Sequence, residues 1–129
     1  MKEKQHIDIP SAEAYMQALQ SIENDISENQ KTMLKAHYNA HNRSITYGDL
    51  AASVGYDSYQ PANAQYGNLG YKIGAALGFD NWRHDDGTEF HSSAIGMGNQ
   101  YTAGEFQLVM HHELAKAIAD LGWGWSVTT

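Results

Sequence analysis

Apolar residues recur at helical spacing in short stretches divided by Gly and polar turns. Met1 to Pro10 is mixed in pattern and predicts an extended leader. Ser11 is placed to cap a first helix, with Tyr15, Leu19 and Ile22 on one side. Ser27 caps the next, and Gln30 occupies the reciprocal position of a capping box. Met33, Leu34, Ala36 and Tyr38 then form a face suited to packing on the first helix. Asn39 to Arg43 is a connector, and Ile45 adds a short strand. Thr46 can cap the following helix, with Asp49 three residues on reaching back to the cap amide. Leu50, Ala51 and Val54 give that helix its apolar face, and Gly55 stops it. After a turn from Tyr56 to Gln60, Pro61 suits the first position of a longer helix. Tyr66, Leu69, Ile73 and Leu77 repeat along it at spacings of three and four, and Gly78 closes it. A short capped helix, a Gly turn and a longer second helix predict a helix-turn-helix.

The remainder reads as strands and one helix. Phe79 to Gly87 is a loop holding Trp82, Arg83, His84, Asp85 and Asp86. Phe90 to Met97 alternates weakly and predicts a strand. Gly98 to Gly104 is turn-rich. Phe106, Leu108 and Met110 alternate cleanly, so Glu105 to Met110 predicts a second strand. The two make a hairpin where a winged helix carries its wing. His112 to Leu121 predicts a last helix with Leu114, Ile118 and Leu121 inward, stopped by Gly122. Trp123, Trp125 and Val127 suit a closing strand. The expected fold is α+β: one domain over residues 1–129, with residues 1–10 as leader. Its winged-helix-like core has three to four helices, a β-hairpin wing and a C-terminal helix.

A chain of 129 residues with 42% apolar content suits one folded core. No apolar run is long enough to cross a bilayer and no signal-peptide pattern opens the chain, so the expectation is a cytoplasmic protein without a membrane partner. The absence of Cys excludes disulfides, thiolate metal sites and Cys nucleophiles.

The net charge of −7 weighs against nucleic acid, so its distribution matters. Residues 1–30 carry −4, residues 31–83 carry +2 and residues 84–129 carry −5. The helix-turn-helix segment is the only positive part of an acidic chain. Few cations predict weak duplex binding.

The second helix is where such a motif meets DNA. Tyr59, Gln60, Asn63, Gln65 and Lys72 lie on it or at its start, and Arg43 is a further cation of the segment. Asn and Gln can pair bidentately with adenine in the major groove, and amides at a helix start suit phosphate. The alternative is an exposed polar helix end of a protein-binding fold. Gly67, Gly70 and Gly74 fall on roughly one side of this helix, where each Gly costs about 1 kcal/mol relative to Ala. Close helix packing is one reason for them; close approach of a phosphate or partner is the other.

The seven histidines raise a metal reading. His37 and His41 are four apart, on one helical face if the helix reaches that far, and His111-His112 could complete a site. No motif supports it, and no metal or cofactor is expected. His91, Asn99 and His112 supply the letters of an HNH nuclease, but at spacing unlike that family's, so catalysis is not expected.

Two family resemblances add to this. Thr46-Tyr47-Gly48-Asp49-Leu50-Ala51, then Ile73-Gly74-Ala75-Ala76-Leu77, resembles the winged-helix half of alkylguanine-DNA alkyltransferases and alkyltransferase-like proteins. Their pattern is a T-Y-G-[DE]-[IL]-A helix followed by a recognition helix ending V-G-x-A-[LM]. The resemblance implies duplex DNA as partner and places Tyr47 against a phosphate. Tyr71 stands where that family has its Arg, and Tyr can only stack there. The Pro-Cys-His-Arg motif is absent, so alkyl transfer is not implied. A longer resemblance is to small bacterial modules found alone or joined to HNH-type restriction nucleases. It rests on Met33-Leu34-Lys35-Ala36-His37-Tyr38, Thr46 to Ala51, Asn63-Ala64-Gln65-Tyr66-Gly67-Asn68-Leu69-Gly70 and Leu121-Gly122-Trp123. It implies a non-catalytic module in a restriction, repair or regulatory context.

The competing class is an acidic protein-binding module: an immunity, anti-restriction or adaptor protein whose partner is a nuclease or another DNA-binding protein. The position of the acids separates the two. Acids ringing the second helix would exclude DNA, and acids on the opposite face would permit it.

Overall fold

A computed structural model describes residues 9–79, 82–83, 86–87, 89–98 and 106–122. Residues 1–8 of the leader, Asn99, most of the Gly98 to Gly104 turn, Glu105 and the expected strand from Trp123 lie outside these.

Side-chain caps start the first three helices. Ser11 Oγ accepts from the Ala14 amide at 3.1 Å and opens α1 (Ala12–Ile22). Ser27 and Gln30 form both halves of a capping box before α2 (Glu28–Asn39). Such caps contribute about 1 kcal/mol each. A 3-10 turn, His41–Arg43, then places Asn42 and Arg43 at positive φ (54° and 56°) and leads into β1 (Ser44–Thr46). Thr46 Oγ1 accepts from the Asp49 amide at 3.0 Å and opens α3 (Tyr47–Ser53). Gly55, at φ 76°, turns the chain after it.

The long helix α4 (Tyr59–Leu77) starts behind Ser58, two residues earlier than Pro61 suggested. Pro61 is its third residue, still within the first turn, where a missing N–H costs no helical bond. Gly78 closes α4 in the left-handed conformation at φ 69°.

After α4 the chain departs from its pattern. β2 (Trp82–Arg83) pairs antiparallel with β3 (Glu89–Phe90), so the expected loop holds a strand. The expected Phe90 to Met97 strand is broken after Phe90 by a 3-10 turn, His91–Ala94. β4 (Gly96–Gly98) and β5 (Gln107–Met110) follow, then α5 (His112–Leu121). Remote partners hold the 3-10 turn. The Tyr15 hydroxyl donates to the Ala94 carbonyl at 2.6 Å, and His111 Nε2 donates to the Ser93 carbonyl at 2.7 Å.

β5 lies between β1 and β4, and both pairings are antiparallel. Ile45 faces Leu108, and Leu108 faces Gly98. A strand ahead of the helix-turn-helix that joins the hairpin behind it is the winged-helix arrangement. The fold is therefore α+β as expected, with a helical core, a hairpin and a C-terminal helix. β2, β3 and the 3-10 turn are added between α4 and the wing.

One core spans these elements. Tyr15, Leu19, Met33, Leu34, Leu50, Tyr66, Leu69, Ile73, Leu108, Leu114 and Ile118 are buried together. Burying each such side chain contributes about 1.5–3 kcal/mol. α1 packs on α4 and α5, while α2 packs on α3 and α4. The apolar face of α2 thus meets the helix-turn-helix, whereas its pattern had suggested packing on α1. Among the described residues no helix is long and apolar enough to cross a membrane.

Candidate nucleic-acid interface

The exposed stripe of α4 runs from Gln60 through Asn63, Ala64 and Asn68 to Tyr71, with Gly67 at its middle. Among the described residues the amides of Gln60, Asn63 and Asn68 make no hydrogen bond. Tyr59 and Tyr71 are 53% and 55% exposed, large aromatic areas to leave in water. Ser58 gives the helix no side-chain cap, so its first amides are open as well.

The other flank of α4 is closed. Gln65 Nε2 donates to the Tyr56 hydroxyl at 2.6 Å, and the Gln65 carbonyl accepts from Gln30 Nε2 at 3.1 Å. Lys72 Nζ donates to the Asp25 carbonyl at 2.5 Å and to Gln30 Oε1 at 3.2 Å. Two residues on a helix are roughly 200° apart, so Asn63 and Gln65 point to different sides. Gln65 and Lys72 are therefore tied into the contact with α2 and do not join the exposed stripe. Arg43 is elsewhere again: its guanidinium donates to the Tyr38 carbonyl and lies 4.2 Å over the Tyr38 ring.

A cleft of about 540 Å³ opens beside the stripe, lined by Tyr47, Asn63, Gly67, Phe90, His91, Ser92 and Phe106. Its walls are aromatic. Tyr47 and Phe106 stack at 5.7 Å between centroids and 13° between planes, and Phe90 stands edge-on to Phe106 at 6.5 Å. A second hollow of about 500 Å³ runs on along α4 past Gln60, Asn68 and Tyr71, sharing Asn63, Gly67 and His91. The Tyr71 ring meets the His91 ring edge-on at 5.3 Å. Among the described residues neither lining contains an acid, a Lys or an Arg.

The floor is held by buried polar groups. Tyr47 is hydrogen-bonded to the buried Ser92 side chain, and burial raises its hydroxyl pKa. Behind it, His37 Nε2 lies 2.9 Å from the carbonyls of Arg43 and Leu108. Both can only accept, so Nε2 carries the proton, and Nδ1 accepts from the Tyr66 hydroxyl at 2.7 Å. Burial lowers the His37 pKa to about 4, against the raising effect of the two carbonyls. Burial, then the neighbouring Tyr47, push the Tyr66 hydroxyl well above its usual range, so it remains a donor. One histidine therefore joins α2, β5, the turn before β1 and α4.

This placement answers the metal reading. α2 ends at Asn39, so His41 does not share a helical face with His37, and both ring nitrogens of His37 are engaged. His111 is buried against Ser93, while His112 is the exposed first residue of α5. Among the described residues no three His, Cys, Asp or Glu gather as metal ligands. His91 sits in the 3-10 turn rather than on a strand, and Asn99 lies outside the described residues.

The described acids are spread over several elements. Glu13, Glu113 and Asp120 ride on α1 and α5, and α1 packs on the buried side of α4. Asp57 precedes α4, Asp49 lies on α3, and Asp86 stands between β2 and β3.

The structure thus brings Tyr47, Gln60, Asn63 and Tyr71 to one surface, with Tyr59 at its start, and leaves Gln65, Lys72 and Arg43 outside it. It adds Asn68, Phe90, His91, Ser92 and Phe106. Asn68 was detectable from its spacing to Gln60, Ala64 and Tyr71. Phe106 had the alternation of a core residue, and only the fold shows that it caps the end of β5 outside the core.

No family model, curated protein or solved structure matches this chain.

Proposed function

We propose that the protein is a non-enzymatic module that binds duplex DNA by laying α4 in the major groove, in a cytoplasmic restriction, repair or regulatory setting. The observation that carries this is the stripe of amides, without a partner among the described residues, on the second helix of a helix-turn-helix, with Phe106 at the start of the wing strand lining the same cleft. Amide side chains suit base edges, and the open amides at the start of α4 suit a phosphate. The resemblance of Thr46 to Ala51 and Ile73 to Leu77 to alkyltransferase-like winged helices supports the same reading. Tyr47, half-buried and stacked on Phe106, keeps one edge in the cleft. Lys72 and Arg43 are engaged within the fold, so few cations are left to neutralise phosphates.

Fluorescence anisotropy with mixed-sequence duplex at low and physiological salt tests this. The expected result is binding that weakens with salt along a shallow slope, corresponding to roughly one to three phosphates. A steep slope would mean that other cations form the contact. Absence of binding at low salt would overturn the duplex reading.

One observation favours a second reading. The stripe is uncharged and rich in Tyr, Asn and Gly, a composition also suited to gripping protein surfaces. On that reading the acidic chain is an adaptor or inhibitor of a nuclease. Capture of a nuclease by wild type but not by a Tyr71→Ala variant would support it.

A further inference from the structure

This inference rests on the duplex reading and names what α4 reads. Two glycines of α4 separate structural need from functional room. A Cβ at Gly70 would lie 2.3 Å from the His91 carbonyl oxygen, so Gly70 is required by the packing of the 3-10 turn. A Cβ at Gly67 would meet nothing within 4 Å. Glycine inside a helix is less stable than alanine, and at Gly67 the fold gives no reason for it. Gly67 forms a wall of the aromatic cleft.

The chemistry of the cleft narrows its occupant. Rings of Tyr47, Phe90 and Phe106 accept an apolar group, and among the described residues no Lys or Arg lines the cleft to invite a phosphate. Asn63, one turn from Gly67, offers an unpartnered amide on the same wall. Amides pair with adenine N6 and N7, whereas guanine is read chiefly by Arg or Lys, and the stripe has neither. Thymine is the base that presents a methyl group in the major groove.

We propose that the target contains an A·T step, with adenine read by Asn63 and the thymine C5-methyl group seated in the cleft at Gly67. The missing Cβ lets the base edge approach the helix backbone, and the rings shield the methyl from water.

The test uses the full chain and a duplex pool with a randomised centre. The preferred duplex is remade with uracil for thymine, which deletes only the methyl, or with 7-deazaadenine for adenine, which deletes only N7. Wild type and Gly67→Leu are titrated against each by anisotropy. The leucine has free space at its Cβ and a good helix propensity, and circular dichroism checks that the helix content is kept. Uracil is expected to weaken wild-type binding about fourfold, the ratio for one buried methyl. Deazaadenine is expected to weaken it about fivefold, the ratio for one hydrogen bond. Gly67→Leu should bind the thymine and uracil duplexes alike. A preferred duplex without A·T pairs at its centre would overturn the proposal, as would equal wild-type binding of uracil and thymine. Discrimination persisting in Gly67→Leu would overturn the assignment to this cleft. All three outcomes leave duplex binding standing. Failure to bind any duplex at low salt would overturn both.

Discussion

The two flanks of α4 carry the same residue types and use them differently. On one, Gln65 and Lys72 are joined to Gln30, Tyr56 and the Asp25 carbonyl. On the other, Gln60, Asn63 and Asn68 have no partner among the described residues; Gly67 faces empty space there, while Gly70, at the edge beside Asn63, admits the backbone of the 3-10 turn. Amides and glycines therefore carry no fixed meaning in this helix. Their role depends on what covers each of them: α2 covers Gln65 and the 3-10 turn covers Gly70.

The comparison breaks most sharply at Gly70. Alanine there would press a methyl against the His91 carbonyl, with oxygen at 2.3 Å and carbon at 2.8 Å. The turn cannot easily yield, because Tyr15 and His111 hold its next carbonyls. Gly70→Ala should cost about 3 kcal/mol or more, read from the urea midpoint. A loss below about 1 kcal/mol would show that the turn is not fixed against α4.

Acid should weaken the closed side next. His37 is neutral in the fold because burial lowers its pKa to about 4 from 6.5. Between those values the unfolded chain binds a proton that the folded chain refuses. Stability from this group is therefore complete above about pH 6.5 and is lost as pH falls toward 4. The loss amounts to about 3 kcal/mol. His111, also lowered by burial, acts in the same direction. Urea unfolding from pH 7 to 4 measures this. His37→Gln, which does not titrate, should be less stable at pH 7 but lose less on acidification. An equal acid slope in that variant would move the effect to other groups.

The features legible in the sequence are those that depend on near neighbours. Ser11, Ser27 with Gln30, and Thr46 cap helices through partners three residues away, and Gly55, Gly78 and Gly122 turn the chain where they stand. The strands at Leu108 to Met110 and at Ile45 were legible, as was the hairpin of β4 with β5, but the pairing of β1 with β5 was not. The 3-10 turn was not legible. Its segment, His91-Ser92-Ser93-Ala94, reads as a plausible strand, and the bonds that bend it come from Tyr15 and His111. Asn63 and Gln65 were also indistinguishable, since nothing near them in sequence says that α2 lies over one and not the other. The cleft combines residues from α3, α4, β3, the 3-10 turn and the start of β5, so only Tyr47, Asn63 and Gly67 stood out beforehand.

The finest test is Gly67→Ala, because here the fold and the proposed function point in opposite directions. The helix should gain up to about 1 kcal/mol, since alanine restricts the unfolded chain and nothing opposes its methyl in the folded one. Thermal unfolding should rise by about 4 °C. The same methyl stands on the wall where a base edge would approach, so duplex preference should fall while stability rises. Few substitutions separate the two so cleanly: a loss of binding in a protein made more stable cannot be blamed on unfolding. If Gly67→Ala instead lowers the melting temperature, the bare backbone at this position serves the fold, and Gly67 belongs with Gly70 rather than with Asn63.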